Sequence, residues 1–384
     1  MGYKPGDDLT DTTAEGVGAT PVAEEHEAEA LTFSTTLRPS GFLGLSLKNG
    51  LLNLITLTLY RFWGKTEVRQ RVWKGVRLNG EAFEYTGRGK ELFIGFLLAL
   101  VVLGVPFLAI VFAVQFIGEW VFLVAYIPMY VFLGWLWGFG TFTAFRYMAS
   151  RTTWRGVRFQ LKGSAAGYGW YFLLAMFLSG LTWGWFWPTA ERHMAEKIWD
   201  DVRFGDRRLR FRMARAQQEG VYGAYAIGWV GTAIGYVVLM FVFIAIGMTT
   251  GAFEPGATEE PQSEIMLTLM IYGVMLLISP LALLLWSPYQ AAMMRSVARG
   301  ISVDGATFTL KVKAIPLWWL TVTNLFMLLI TFGFLMPWVQ ARTTRFLVER
   351  LSSEGTARLS LAHQAGRGPG SGEGLADAFG FSAI

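Results

Sequence analysis

The chain has 384 residues, of which 53 % are apolar and only 16 % charged, with 16 Trp and a net charge of +5. A soluble globular chain carries about 25 % charged residues, so this composition excludes an ordinary soluble enzyme and points to an integral membrane protein. Cys is absent, which rules out disulfides, thiolate metal sites and Cys nucleophiles.

Residues 1–30 are acidic, with Asp7, Asp8, Asp11, Glu15, Glu24, Glu25, Glu27 and Glu29 against Lys4. They lack apolar periodicity and read as disordered, and they lack the basic start and apolar core of a signal peptide. Seven apolar stretches follow, at 42–63, 92–117, 120–145, 168–188, 221–248, 265–288 and 316–339. Each is long enough to cross a hydrocarbon core of about 30 Å as a helix. The second and third join around Gly118 and Glu119, and the fifth and sixth through 249–264, which makes two helical hairpins. The tail 363–384 is Gly-rich and reads as disordered.

Charge chooses between topologies, because Lys and Arg stay on the cytoplasmic side. If all seven stretches cross, the loops carry 14 Lys/Arg on one side and 17 on the other, which is no bias. If only the two hairpins cross, their tips carry Glu119, Glu254, Glu259, Glu260 and Glu264 and no basic residue, and all 33 Lys/Arg lie opposite. Stretches 42–63, 168–188 and 316–339 then enter and leave on the cytoplasmic face as re-entrant or interfacial segments, with both termini cytoplasmic. Thr and Gly in Leu181-Thr182-Trp183-Gly184 and Ile330-Thr331-Phe332-Gly333 permit a break. Seven plain spans remain the alternative.

A short unit recurs between the stretches, beginning at Trp73, Trp154, Trp199, Ala298 and Phe346. Asn79-Gly80, Gly205-Asp206 and Asp304-Gly305 mark two-residue hairpin turns in three copies, Lys162-Gly163 stands in the second and Ser352-Ser353 in the fifth. The expected fold is therefore a mainly α, polytopic membrane protein with four transmembrane helices, three further apolar segments and small cytoplasmic β-hairpins in an internal repeat. Its units are 31–167 (hairpins 73–86 and 154–163), 168–315 (hairpins 199–212 and 298–311) and a half repeat 316–362 (hairpin 346–360). Parallel repeats of this kind occur in transporters.

Segment 50–91, GLLNLITLTLYRFWGKTEVRQRVWKGVRLNGEAFEYTGRGKEL, resembles the signature of the YjgN family of bacterial inner-membrane proteins, whose function is unknown. Asn53, Thr56, Trp63, Lys65, Arg69, Asn79, Gly80, Phe83 and Tyr85 match that pattern, and Thr58-Leu59 stands where Leu-Gly is expected. The resemblance covers most of 40–350. It implies a Gram-negative inner-membrane location and is silent on activity.

Candidate binding residues are Arg77, Arg158, Arg203 and Arg350, each four residues after an aromatic anchor, together with Arg69. A guanidinium suits lipid phosphate or another anion, and the same residues equally serve to set topology beside interfacial Trp. The interface anchors are Trp63, Trp73, Trp154, Trp187, Trp199 and Trp338. Gly134/Gly138, Gly180/Gly184 and Gly231/Gly235 have the spacing that lets helices approach closely, within the chain or between two copies of it.

The four expected spans contain no ionisable residue inside the membrane, which weighs against a proton-driven carrier. Glu191, His193 and Glu196 lack the two-His spacing of a zinc helix, so no metal is expected. No cofactor, catalytic residue or nucleic-acid partner is indicated, and the chain does not read as an enzyme. Membrane lipids are the expected partners. Two functions stand: a transporter or channel for a small molecule or ion, and a non-transporting envelope protein that binds anionic lipid or a partner through its basic hairpins.

Overall fold

A computed structural model describes residues 28–117, 120–250 and 261–364. Three helices, α3 (Gly89–Ile117), α8 (Val221–Thr250) and α9 (Pro261–Gly300), contain stretches long and apolar enough to cross a membrane. A fourth long helix, α4 (Trp120–Arg151), follows α3. Large apolar side chains stand exposed along them, among them Leu100, Phe107, Ile127, Val237 and Phe241. The tip residues Glu119, Glu254, Glu259 and Glu260 lie outside the described residues.

Two prolines interrupt the hydrogen-bond ladder of α9, since Pro has no N–H to give the carbonyl four residues back. At each, the preceding Ser takes over. Ser279 Oγ donates to the Leu276 carbonyl at 2.8 Å and Ser287 Oγ to that of Leu284 at 2.9 Å. The helix continues because its freed acceptors find new donors.

The other three apolar stretches are not continuous helices. Each breaks into a pair: α1 (Leu43–Ile55) with α2 (Arg61–Gly75), α5 (Ala165–Leu181) with α6 (Trp187–Trp199), and α10 (Ala314–Ile330) with α11 (Met336–Val348). The first arms have 13, 17 and 17 residues, fewer than the ~20 that a span needs. One device makes all three breaks. Thr56, Thr182 and Thr331 each end the first arm with the side-chain hydroxyl donating to the carbonyl four residues back, at 2.6, 2.8 and 2.6 Å. The same oxygens accept the N–H of Tyr60, Phe186 and Leu335, which start the second arm.

Between the arms two successive residues turn left-handed: Leu57-Thr58, Trp183-Gly184 and Phe332-Gly333. The first pair corrects the register expected for the signature. Thr58, at φ +69°, occupies the place that Gly184 and Gly333 hold in the other breaks, so Leu57-Thr58 rather than Thr58-Leu59 stands for Leu-Gly. Leu57, Trp183 and Phe332 are 84 %, 81 % and 92 % exposed at the tips.

Strands begin where helices end. β3 (Val76–Leu78), β6 (Thr152–Trp154), β8 (Val202–Phe204), β10 (Ile301–Val303) and β12 (Leu351–Glu354) follow α2, α4, α6, α9 and α11 at once or after two residues. Each opens with Val, Thr, Ile or Leu, residues that pack well on a pleated surface. The return strands are β4 (Glu81–Ala82) with β5 (Glu84–Tyr85), β7 (Val157–Leu161), β9 (Arg207–Phe211) and β11 (Ala306–Leu310), while β13 (Thr356–Ala357) continues the line of β12. The short β1 (Glu29–Ala30) and β2 (Phe33–Thr35) precede them all.

These hairpins are not separate, as the sequence led us to expect. β5 to β12 pair in order as one antiparallel meander, β2-β3-β4 form a second sheet and β1 pairs with β13. Phe83 alone separates β4 from β5, Leu31-Thr32 separates β1 from β2, and Gly355 separates β12 from β13. The three pairings therefore run into one another and close a ring of ten strand segments, a barrel without edges. Across one seam Ser353 Oγ donates to the Leu31 carbonyl and the Asn79 N–H to that of Thr32.

Three expectations change with this. The second turn is Arg155-Gly156, both left-handed (φ 50° and 73°), with Trp154 paired to Val157, and not Lys162-Gly163. That conformation is the one a tight hairpin requires. Glu29–Ala30 form a strand within the segment read as disordered, and most of 1–30 lies outside the described residues. In the fifth unit α11 runs to Val348, Ser352-Ser353 lie within β12 instead of at a turn, and β12 passes through Gly355 into β13, so this unit is a single strand line and not the hairpin expected over 346–360. Past them His363 and Gln364, the start of the tail read as disordered, are held by hydrogen bonds to Asp206 and Arg158, and 365–384 lies outside the described residues.

Candidate functional site: two cavities that meet at Glu191

Alternation along the strands sends apolar residues into the barrel and polar ones out. On β9, Leu209 and Phe211 are buried while Arg208 and Arg210 are exposed. The interior is not filled. A cavity of about 610 Å³ remains, walled by side chains such as Leu78, Phe159, Phe204, Val303, Phe308 and Leu351. This lies within the roughly 300–1,000 Å³ typical of small-molecule sites. At the end carrying the hairpin turns, the segment after β13 crosses the barrel. The Arg358 N–H donates to Asp304, the His363 N–H to Asp206, and Gln364 Oε1 accepts the Arg158 N–H. Leu359 of this strap lines the cavity, and Ala362 is buried against the core.

The opposite end lies under the helices, where Glu191 of α6 and Tyr289 and Gln290 of α9 line the cavity. The same three residues line a second cavity of about 440 Å³, bounded by Ser179, Gly184, Trp187, Tyr225 and Trp286. This one sits at the break between α5 and α6. The carbonyls that the break frees are taken by α8: Tyr225 Oη donates to Gly184 and Trp229 Nε1 to Trp183, both at 2.8 Å. Tyr225, Trp286 and Tyr289 pack edge to face, with ring centroids 5.0–5.9 Å apart.

Among the described residues Glu191 is the only carboxylate lining either cavity, and no Lys, Arg or His does. It accepts a hydrogen bond from Tyr289 Oη. Burial pushes its carboxyl above the usual carboxylate range, against the opposing effect of hydrogen bonds from Tyr289 and Trp187. Two residues that line these cavities carry a buried polar atom without a partner, Ser179 Oγ beside the break and Trp154 Nε1 in the barrel wall. No group of three or more His, Cys, Asp or Glu that could hold a metal occurs among the described residues.

The sequence-derived candidates fall elsewhere. Arg69 is 2 % exposed, and its Nη1 donates to Tyr85 Oη at 3.2 Å. Arg77 sits mid-strand on β3, exposed, and bonds the Gly80 carbonyl of its own turn. Arg203 holds the corresponding place on β8, but Arg158 lies past the corrected turn, opposite Thr153 on β7. Arg350 precedes β12 and stacks on Phe346 at 3.7 Å. The series is thus not one structural position, and its members occupy separate strands around the barrel.

Of the expected interface anchors, Trp63 is exposed, whereas Trp154 is 1 % exposed inside the barrel, a correction forced by the shifted turn. Trp199 lines the barrel cavity and Trp187 the cavity at the break. Trp73 Nε1 donates to Thr152 Oγ1, and Trp338 carries the Arg342 guanidinium over its ring.

Among the paired glycines, Gly134 and Gly138 lie against Leu173 and Phe172 of α5, and Gly231 against Leu285 of α9. Gly184 forms the break, and Gly180 and Gly235 face open space. Sequence reasoning missed Glu191 as a site. Its signal was an acid eight residues beyond the tip of an apolar stretch.

No curated protein and no solved structure matches this chain. A family model described as a bacterial protein of unknown function, DUF898, matches residues 30–378. The ten-strand barrel and the three Thr-capped breaks all lie within that span, and the chain belongs to this family, the YjgN type.

Proposed function

We propose that the protein is a multi-pass transporter of the bacterial inner membrane that moves a small molecule between the bilayer and the cytoplasmic side. In this reading α3, α4, α8 and α9 cross the membrane. The pairs α1–α2, α5–α6 and α10–α11 re-enter it from the side that carries the barrel, and the chain is an internal repeat of re-entrant pair, hairpin, two spans and hairpin. Exposed apolar tips at Leu57, Trp183 and Phe332 support the insertion of all three pairs, and charged second arms such as Arg61 to Lys74, costly at membrane depth, weigh against a full crossing. The observation that carries the transport reading is the junction at Glu191, Tyr289 and Gln290 between the cavity at the membrane break and the cavity in the barrel.

Ala298→Cys places a lone thiol in the lining of the barrel cavity, on the last turn of α9, in an otherwise Cys-free chain. In sealed vesicles a bilayer-partitioning alkyl maleimide is expected to label it. Ser179→Phe, which narrows the membrane-side cavity, is expected to slow labelling about tenfold, a barrier increase of ~1.4 kcal/mol. Labelling unaffected by Ser179→Phe would contradict a joined path. The alternative role, binding anionic lipid or a partner through basic hairpins, has less support because Arg77, Arg158 and Arg203 stand on different strands.

A further inference from the structure

We propose that the joined cavities bind a neutral acyl ester drawn from the bilayer, of the acylglycerol type. Its chain lies along the apolar barrel wall, and its ester and hydroxyl oxygens meet Glu191, Gln290, Ser179 and Trp154. This deepens the transport reading and rests on it.

Three observations select that chemistry. The barrel cavity is walled almost wholly by Leu, Val, Ile, Phe, Met and Trp, a lining that rewards a long apolar chain. Among the described residues no Lys or Arg lines either cavity, so a carboxylate or phosphate head would be buried there without a counter-charge. The unsatisfied polar atoms are mainly donors. Trp154 is 1 % and Ser179 9 % exposed, Trp154 Nε1 and Ser179 Oγ are buried without a partner, and Gln290 brings a side-chain amide. Glu191 stands at the junction of the two cavities, where burial pushes its carboxyl above the ordinary range and so disfavours a second negative charge beside it. Uncharged acceptor oxygens satisfy such a set. Access is from the bilayer, because the membrane-side cavity adjoins a break whose Leu181 and Trp183 are exposed, while the strap Arg358–Gln364 crosses the other end of the barrel.

The test uses the full chain in nanodiscs with a diazirine-bearing monooleoylglycerol, cross-linked by light and mapped by mass spectrometry. Cross-links are expected on Met293–Leu310 and on α6. Unlabelled monooleoylglycerol or dioleoylglycerol should suppress them; oleate and oleylamine at the same concentration should not. Suppression by the one-chain ester alone would identify a lysolipid-like ligand, and by both a bilayer glyceride. Glu191→Leu should lower occupancy about tenfold, the scale of one lost buried hydrogen bond. Glu191→Gln, which stays neutral and keeps a donor, should remain within about twofold of wild type, and Trp154→Phe reports on the second donor without emptying the barrel.

Cross-links confined to the outer faces of α3 and α8, or equal competition by oleate, would overturn the proposal. Ala298→Cys labelling in the same samples separates the two claims. A labelled thiol without specific cross-links leaves the path standing and removes the ligand class, and failure of both removes both.

Discussion

The long helices and the barrel use the same residue types turned in opposite directions. On α3, Leu100 and Phe107 are 52 % and 56 % exposed, whereas on the barrel strands Leu78 and Phe204 are 5 % and 2 % exposed. In water the first arrangement would be unfavourable by about 25 cal/mol per Å² of apolar surface. In a bilayer it costs nothing, because lipid tails are as apolar as the side chains. The barrel instead closes on itself, its last seam held by the short β1-β13 pairing, and carries its arginines outside. Where the two regions meet, neither rule holds fully, and the cavities and the buried Glu191 lie there.

The comparison is broken most sharply by paired deletions. Trp154→Ala empties part of the barrel wall and is expected to cost about 3–5 kcal/mol. Phe107→Ala, on the outer face of α3, should stay within about 0.5 kcal/mol. Chemical denaturation in one detergent measures both, and equal losses would abolish the distinction. Next in size, Gly138→Leu drives a side chain into Phe172 and the Gly169 backbone and should cost about 1–3 kcal/mol. Gly235→Leu faces open space and should be silent in the monomer; a change in oligomeric state with Gly235→Leu would show that this face packs against a second copy.

The breaks give a smaller contrast. Gly184→Ala forces a side chain onto φ +90° and should cost about 1–2 kcal/mol. Thr58→Gly relieves the same strain at φ +69° and should stabilise by roughly 1 kcal/mol, read as a higher thermal midpoint.

The smallest effect is one of slope. Because burial raises the Glu191 carboxyl, the folded chain holds this proton more tightly than the unfolded one. Its contribution is fully present below the ordinary carboxylate value and is lost as pH rises through the raised value. As pH rises from the ordinary carboxylate range through that raised value, the wild type should therefore lose stability relative to Glu191→Gln. Parallel profiles would mean that Glu191 titrates normally.

Much of this plan is legible in the residues. Asn79-Gly80 and Asp304-Gly305 announce their turns because so few residues adopt left-handed conformations. Thr182-Trp183-Gly184 and Thr331-Phe332-Gly333 announce the breaks, and the distribution of basic residues separates long helices from broken ones. Closure of the barrel is not legible, because pairing of β1 with β13 joins residues more than 300 positions apart, and strands of two or three residues carry little pattern. The Arg155-Gly156 turn is hidden by an Arg in a left-handed position, which sequence preference argues against. Glu191 reads as one more charge on a helix of mixed charge until folding sets it beside Tyr289, a contact between residues 98 apart.

The central claim is that α5 and α6 dip into the membrane and return, carrying Glu191 to the junction of the two cavities. Single cysteines at Lys162, before α5, and at Gln218, between α6 and α8, are both exposed. A third at Thr258 marks the acidic segment between α8 and α9. With an impermeant maleimide applied outside intact cells, Thr258→Cys should label, and Lys162→Cys and Gln218→Cys should both stay protected until the membrane is opened. Labelling of only one of that pair from outside would place the α5–α6 segment across the membrane and contradict the account.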